Sequence, residues 1–232
     1  MSKGNIYHRE EFLQTIAKNL RRKPRLREME RPKRKYRPEP KVYATLSATE
    51  LLQVMRDECD KIHTELLETD QASLPKVLAK QIGVHGNGSI VIPEDPRFID
   101  YGLDGVLSQE DVHTWDPSRG DENITHAEQA NIGIMFSDIT LAESATTVIF
   151  NNKNKARAIS LLPTTFIAII PKHSIVPRMT QAAQIIEQQI KDGETIPSCV
   201  NLISGPSNSA DIEYNLVVGV HGPIKASYIV VD

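Results

Sequence analysis

A chain of 232 residues, 40% of them apolar, is long enough to bury one sizeable core. Its only cysteines, Cys59 and Cys199, form neither a CxxC pair nor a four-thiolate set for zinc or an iron–sulfur cluster, which points to structural thiols and no metal in this chain. The net charge of −3 conceals an asymmetry, since residues 1–41 hold 14 Lys or Arg against 5 Asp or Glu and residues 42–232 hold 13 against 25.

The start, MSKGNIYHREEF, lacks the apolar stretch of a signal peptide, and no apolar run reaches the ~18 residues of a membrane span, so a cytoplasmic protein is expected. REEFLQTIAKNL spaces Phe12, Leu13, Ile16, Ala17 and Leu20 as one helical face, with acids first and bases last. Such a helix suits docking on a partner or on a second copy of the chain. The basic tract at 21–38, RRKPRLREMERPKRKYRP, has three prolines and too few apolar residues for a core, and reads as a flexible arm. Acids interrupt it and Tyr36 is its only aromatic, so nucleic acid is disfavoured; an acidic partner surface or plain solvation suits it better. The expected division is an arm at 1–41 and a domain at 42–232.

From Ser47, SATELLQVMRDECDKIHTELLETD predicts a helix opened by a Ser47–Glu50 capping box, with Leu51, Leu52, Met55, Cys59, Ile62, Leu66 and Leu67 on one face. His63 beside that face reads as a surface or packing histidine. A short helix over 75–82 ends in GVHGNGS, whose glycines precede the strand-like SIVIP; a dinucleotide fingerprint follows a strand, so this is a turn. Residues 94–120, rich in Asp, Pro and Gly and holding Trp115, read as a long functional loop, and His113, Asp116 and Asp121 within or beside it make no metal pattern.

ITHAEQA predicts a helix, IGIMFSDITLAESATTVIF consecutive short strands, and TTFIAIIP a buried strand. SIVPRMTQAAQIIEQQIKDG predicts a helix that buries Met179, Ala182, Ala183, Ile186 and Ile190 and stops at Gly193, and SCVNLIS and ASYIVVD are closing strands. Strands alternating with helices make an α/β domain: an open, largely parallel sheet with helices on both faces.

Two places invite chemistry. Glu143 interrupts a strand-like run among the small residues Ala142, Ser144 and Ala145, which leaves room for a ligand. Its carboxylate suits a nucleophile or base, and equally a strand-end residue that satisfies backbone amides. After VNLIS, GPSNSADIE supplies Gly205 for a turn, Ser207, Asn208 and Ser209 as donors, and a helix start near Ala210. Asp211 and Glu213 follow at once and no Lys or Arg lies between Lys191 and Lys225, so a phosphate cradle is disfavoured. A small polar ligand, with His221 as a candidate partner, and a structural turn both remain open.

The runs SDITLAESAT, SLLPTTFIAIIPKHSIVPRMTQ and SGPSNSADIEYNLVVGVHGP resemble the lactate utilization protein C family of LUD domains, across nearly the whole chain. The resemblance implies the open Rossmann-like fold of the ribose-5-phosphate isomerase and CoA-transferase group. It also implies a role in oxidation of L-lactate to pyruvate for growth on L-lactate, as a binding or assembly subunit without its own redox centre, beside partner proteins that carry iron–sulfur clusters. A small-molecule transferase or ligase acting through Glu143 is the alternative. Where the family phrase has Gly, this chain has Ala145, and local geometry differs here if the family's loop needs the positive φ that glycine allows.

Overall fold

The computed structural model describes residues 6–22, 35–212 and 215–232, with Asp211 and Ile212 as backbone only. Most of the basic tract and Glu213 therefore lie outside the described residues. The chain divides into two units, Met1–Arg37 and Pro38–Asp232. In the first, α1 (Arg9–Asn19) buries no residue, and Phe12, Ile16 and Leu20 are exposed.

The second unit opens with α2 (Ala48–Lys61), started by the expected capping box: Ser47 accepts from the Glu50 amide, and Glu50 Oε2 accepts from the Ser47 amide at 2.7 Å. This helix stops earlier than its apolar spacing predicts. His63 takes a left-handed φ of 54°, and Leu66 and Leu67 belong to β1 (Glu65–Thr69). Leu66 and Leu67 face opposite cores, as successive strand residues do, so pairing with the last strand outcompetes another helical turn.

Next come α3 (Leu74–Val84), β2 (Ile90–Ile92), α4 (Arg97–Asp100), α5 (Asp104–Leu107) and β3 (Val112–Thr114). The expected loop at 94–120 is thus largely ordered. Four-residue helices are too short to show a period, but Phe98, Leu103 and Leu107 pin them to the sheet. After α6 (Asp121–Gln129), strands β4 (Ile132–Phe136), β5 (Ile139–Leu141) and β6 (Thr146–Asn151) lead through α7 (Ala158–Leu161) to β7 (Thr165–Pro171). Gly133 lets α7 touch β4, since a Cβ there would lie 2.0 Å from the Ile159 carbonyl oxygen.

The remaining elements are β8 (Ile175–Val176), α8 (Met179–Lys191), β9 (Cys199–Ile203), β10 (Asn208–Ile212), β11 (Asn215–Val218) and β12 (Lys225–Val231). β10 corrects the helix expected near Ala210: Asn208 and Ser209 pair antiparallel with Val218 and Val217 instead of preceding a helix.

Six strands form a wholly parallel sheet in the order β1-β12-β7-β4-β2-β3. A second sheet, β8-β5-β6-β9, takes strands that the sequence pattern alone assigns to a single layer. One face of the parallel sheet packs on α3, α4 and α5. Its other face packs on α2, α7 and the second sheet, whose far side is covered by α8. The parallel, doubly covered sheet bears out the α/β reading.

Toward the amino ends of the strands lies a buried polar cluster, with the Glu65 carboxylate at its edge. Gln81 Nε2 donates to Ser227 Oγ and to Glu65 Oε2, both at 2.8 Å, and Ser227 Oγ lies 2.8 Å from His85 Nε2. Burial, then the charge of Lys225, holds the His85 imidazole well below its usual pKa, so it is neutral at neutral pH.

Candidate functional site

Glu143 sits on a 3-10 turn, Ala142–Ser144, that joins β5 to β6. Its amide donates to the Pro177 carbonyl at 3.0 Å, and Arg178 Nε donates to its Oε2 at 2.8 Å. Arg178 caps α8, so the ion pair ties this turn to the helix that covers the second sheet. The pair is half-buried, with side-chain exposures of 25% for Arg178 and 35% for Glu143, so the guanidinium orients the carboxylate while solvent still reaches it. Ala145, despite its side chain, adopts the left-handed backbone that glycine takes freely, at φ 44° and ψ 44°, with its methyl group fully buried. An alanine there costs roughly 1 kcal/mol.

The stretch 203–223 meets this turn through Ser204, whose hydroxyl donates to the Ser144 carbonyl at 2.8 Å. Gly205, at φ 69°, donates its amide to the Tyr228 phenol at 2.8 Å, and that phenol donates to the Ile203 carbonyl. Burial pushes the Tyr228 phenol well above its usual pKa. A Cβ at Gly205 would meet Thr64 Oγ1 at 2.7 Å, so glycine is needed for the fit. Ser207 donates its amide to the Pro223 carbonyl and accepts from the Gly219 amide, closing the neck of the β10–β11 hairpin. Asn208 Nδ2 donates to the Pro206 carbonyl, Ser209 is buried, and His221 is exposed. The side chain of Asp211 lies outside the described residues. Gly205 and Ser207 thus hold the turn together, and the stretch joins the Glu143 turn through backbone rather than through the carboxylate.

A third constellation stands at the carboxyl ends of β2 and β4. Arg97 grips Asp95 with Nε and Nη2, at 3.0 and 2.6 Å, and its Nη2 reaches Asp138 Oδ1 at 2.9 Å. Lys155 Nζ donates to both Asp138 oxygens, at 2.9 and 2.8 Å, and the Phe150 amide adds a bond of 2.7 Å. The Arg97 guanidinium also lies 4.9 Å from the centre of the Phe136 ring. Burial pushes the Asp95 carboxyl up, but the hydrogen bonds and charge of Arg97 outweigh it and hold the group below its usual range. Burial likewise acts to lower Arg97, and its two carboxylate partners overcome that. Sequence reasoning missed this cluster. Its one local sign is the break that Ser137 and Asp138 make between two apolar strands.

Cys59 is buried, and burial pushes its thiol up to about 12. Cys199 is partly buried beside Asn151 and Asn201. Among the described residues no group of three or more His, Cys, Asp or Glu is placed to hold a metal ion, and no helix is long and apolar enough to cross a membrane. His63 is exposed, His113 accepts or donates at 2.9 Å with Asn123 and stacks on His126, and Asp116 caps a short turn at Ser118.

A family profile described as the LUD domain matches residues 41–231. The lactate utilization protein C of Geobacillus kaustophilus is 52% identical over 237 residues, spanning 100% of this chain and 99% of that protein. The protein of the same name from Bacillus subtilis is 52% identical over 238 residues, with the same coverage. A crystal structure of a DUF162 family protein from Deinococcus radiodurans shares the fold at a TM-score of 0.57 and 19% identity, over 81% of this chain and 99% of that one. The chain belongs to the LUD domain family, within its lactate utilization protein C group.

Proposed function

We propose that the protein is a non-redox component of a system that oxidises L-lactate to pyruvate and is needed for growth on L-lactate. The observation that carries this reading is the 52% identity, end to end, with proteins named for lactate utilization. The two thiols support the assignment of electron transfer to partner proteins with iron–sulfur clusters, because they stand apart and one is held protonated by burial. Residues 1–41 serve in this reading as an arm that binds an acidic partner surface or a second copy of the chain, residues 42–232 as the working domain, and the setting is the cytoplasm. Deleting the gene in its host should abolish growth on L-lactate and spare growth on other carbon sources. Normal growth on L-lactate would sink the idea.

A second reading, a transferase or ligase acting through Glu143, is favoured by one observation: the carboxylate is held by Arg178 on a turn whose Ala145 stores backbone strain. Glu143→Gln keeps the side-chain shape and removes the charge, so growth on L-lactate should fail with the protein still folded. Full growth of that variant counts against it.

A further inference from the structure

Strand order marks one place in the parallel sheet where the winding reverses. From β2 the chain runs outward to β3, through α4 and α5 on one face, whereas from its neighbour β4 it runs the opposite way to β7, through the second sheet and α7 on the other face. Connections that leave adjacent strands in opposite directions open a crevice at their carboxyl ends, and open α/β sheets bind ligands there. In this molecule that place holds a cavity of 360 Å³, within the range of small-molecule sites.

Its walls sort by chemistry. Asp138 is fully engaged by Arg97, Lys155 and the Phe150 amide, so it offers an incoming cation little. Arg97 Nη1 is bound only to the Ser137 carbonyl, at 3.3 Å. The exposed His173 lines the same cavity. Ser174 Oγ lies a long 3.5 Å from Thr140 Oγ1, whose proton already goes to Ser137. Gln189 Oε1 is buried with no hydrogen-bond partner, an arrangement that is costly until a donor arrives. Ile139, Phe150, Val176 and Ile185 complete the lining.

We propose that this crevice binds a small hydroxycarboxylate: the carboxylate toward Arg97 and His173, the hydroxyl donating to Gln189 Oε1 and facing Ser174, and the alkyl end against the aliphatic wall. The choice of acid rests on the lactate reading above, and the location does not. Isothermal titration of the full chain with L-lactate, pyruvate and acetate tests it. L-lactate should bind saturably and more tightly than pyruvate or acetate, and its affinity should fall about tenfold, or about 1.4 kcal/mol, in both Gln189→Leu and His173→Ala. His173 is exposed, so its variant leaves the fold intact if Gln189→Leu does not. Absence of saturable binding, equal affinity for acetate, or affinity unchanged in His173→Ala each overturns the site. Failed binding with growth still dependent on the gene removes the crevice and keeps the lactate role, and binding with normal growth of the deletion does the reverse.

Discussion

The two ends of the parallel sheet solve the burial of polar groups in opposite ways. Toward the amino end, Gln81, Ser227 and neutral His85 exchange hydrogen bonds without bringing in a buried ion pair. At the carboxyl end, Asp95, Arg97, Asp138 and Lys155 are two acids and two bases that neutralise one another, with Lys155 only 9% exposed. A cluster of neutral groups carries a smaller desolvation cost, so it is sealed within the fold even with His85 Nδ1 left without a hydrogen-bond partner. A charged cluster must meet its desolvation cost with geometry, and it stays worthwhile where one side opens to a ligand.

The sharpest way to break that contrast is at Asp138. Asp138→Asn leaves Arg97 with Asp95 but strands Lys155 in a largely buried site, so the loss of stability should be about 3 to 5 kcal/mol, read from the shift in urea midpoint. A loss below about 1 kcal/mol would mean that the charges are solvated and the contrast is false.

Acid attacks the other end. Burial, then the charge of Lys225, lowers His85 from the usual 6.5 to about 4. Between those values the unfolded chain binds more protons than the folded one, so stability is complete above 6.5 and falls as pH drops through the window, by about 3 kcal/mol in all. Urea midpoints taken from neutral pH down to pH ~4 measure the slope. A His85→Gln chain should lose that share of it, and an unchanged slope would show that other groups produce it.

The smallest effect belongs to Glu143. Its ion pair with Arg178 is partly exposed, so Glu143→Gln should cost under about 1 kcal/mol in a thermal melt. That separation of stability from function is what lets the growth assay judge the carboxylate.

Local signals carried much of the fold. The capping box at Ser47 and the apolar run at 164–171 needed no distant information, and both stand in the structure. Where the outcome depended on distant pairing, local pattern misled: Leu66 and Leu67 continue a helical spacing, yet they join β12, more than 150 residues away. The charged crevice was illegible for the same reason, since Asp138 finds Arg97 at a separation of 41 and Lys155 at 17. Glu143 was visible as a break in a strand, but its partner Arg178 was not.

The left-handed turn at Ala145 also sets a rule for reading other sequences. With φ at 44° and the methyl group enclosed, the position admits glycine or alanine and rejects valine, isoleucine or threonine, whose branched Cβ suits neither the backbone nor the space. A chain that matches every other phrase but carries a branched residue at 145 has to build the β5–β6 connection differently, and would present the carboxylate at 143 in another direction. One small side chain thus serves as a checkpoint for whether a relative shares this geometry at all.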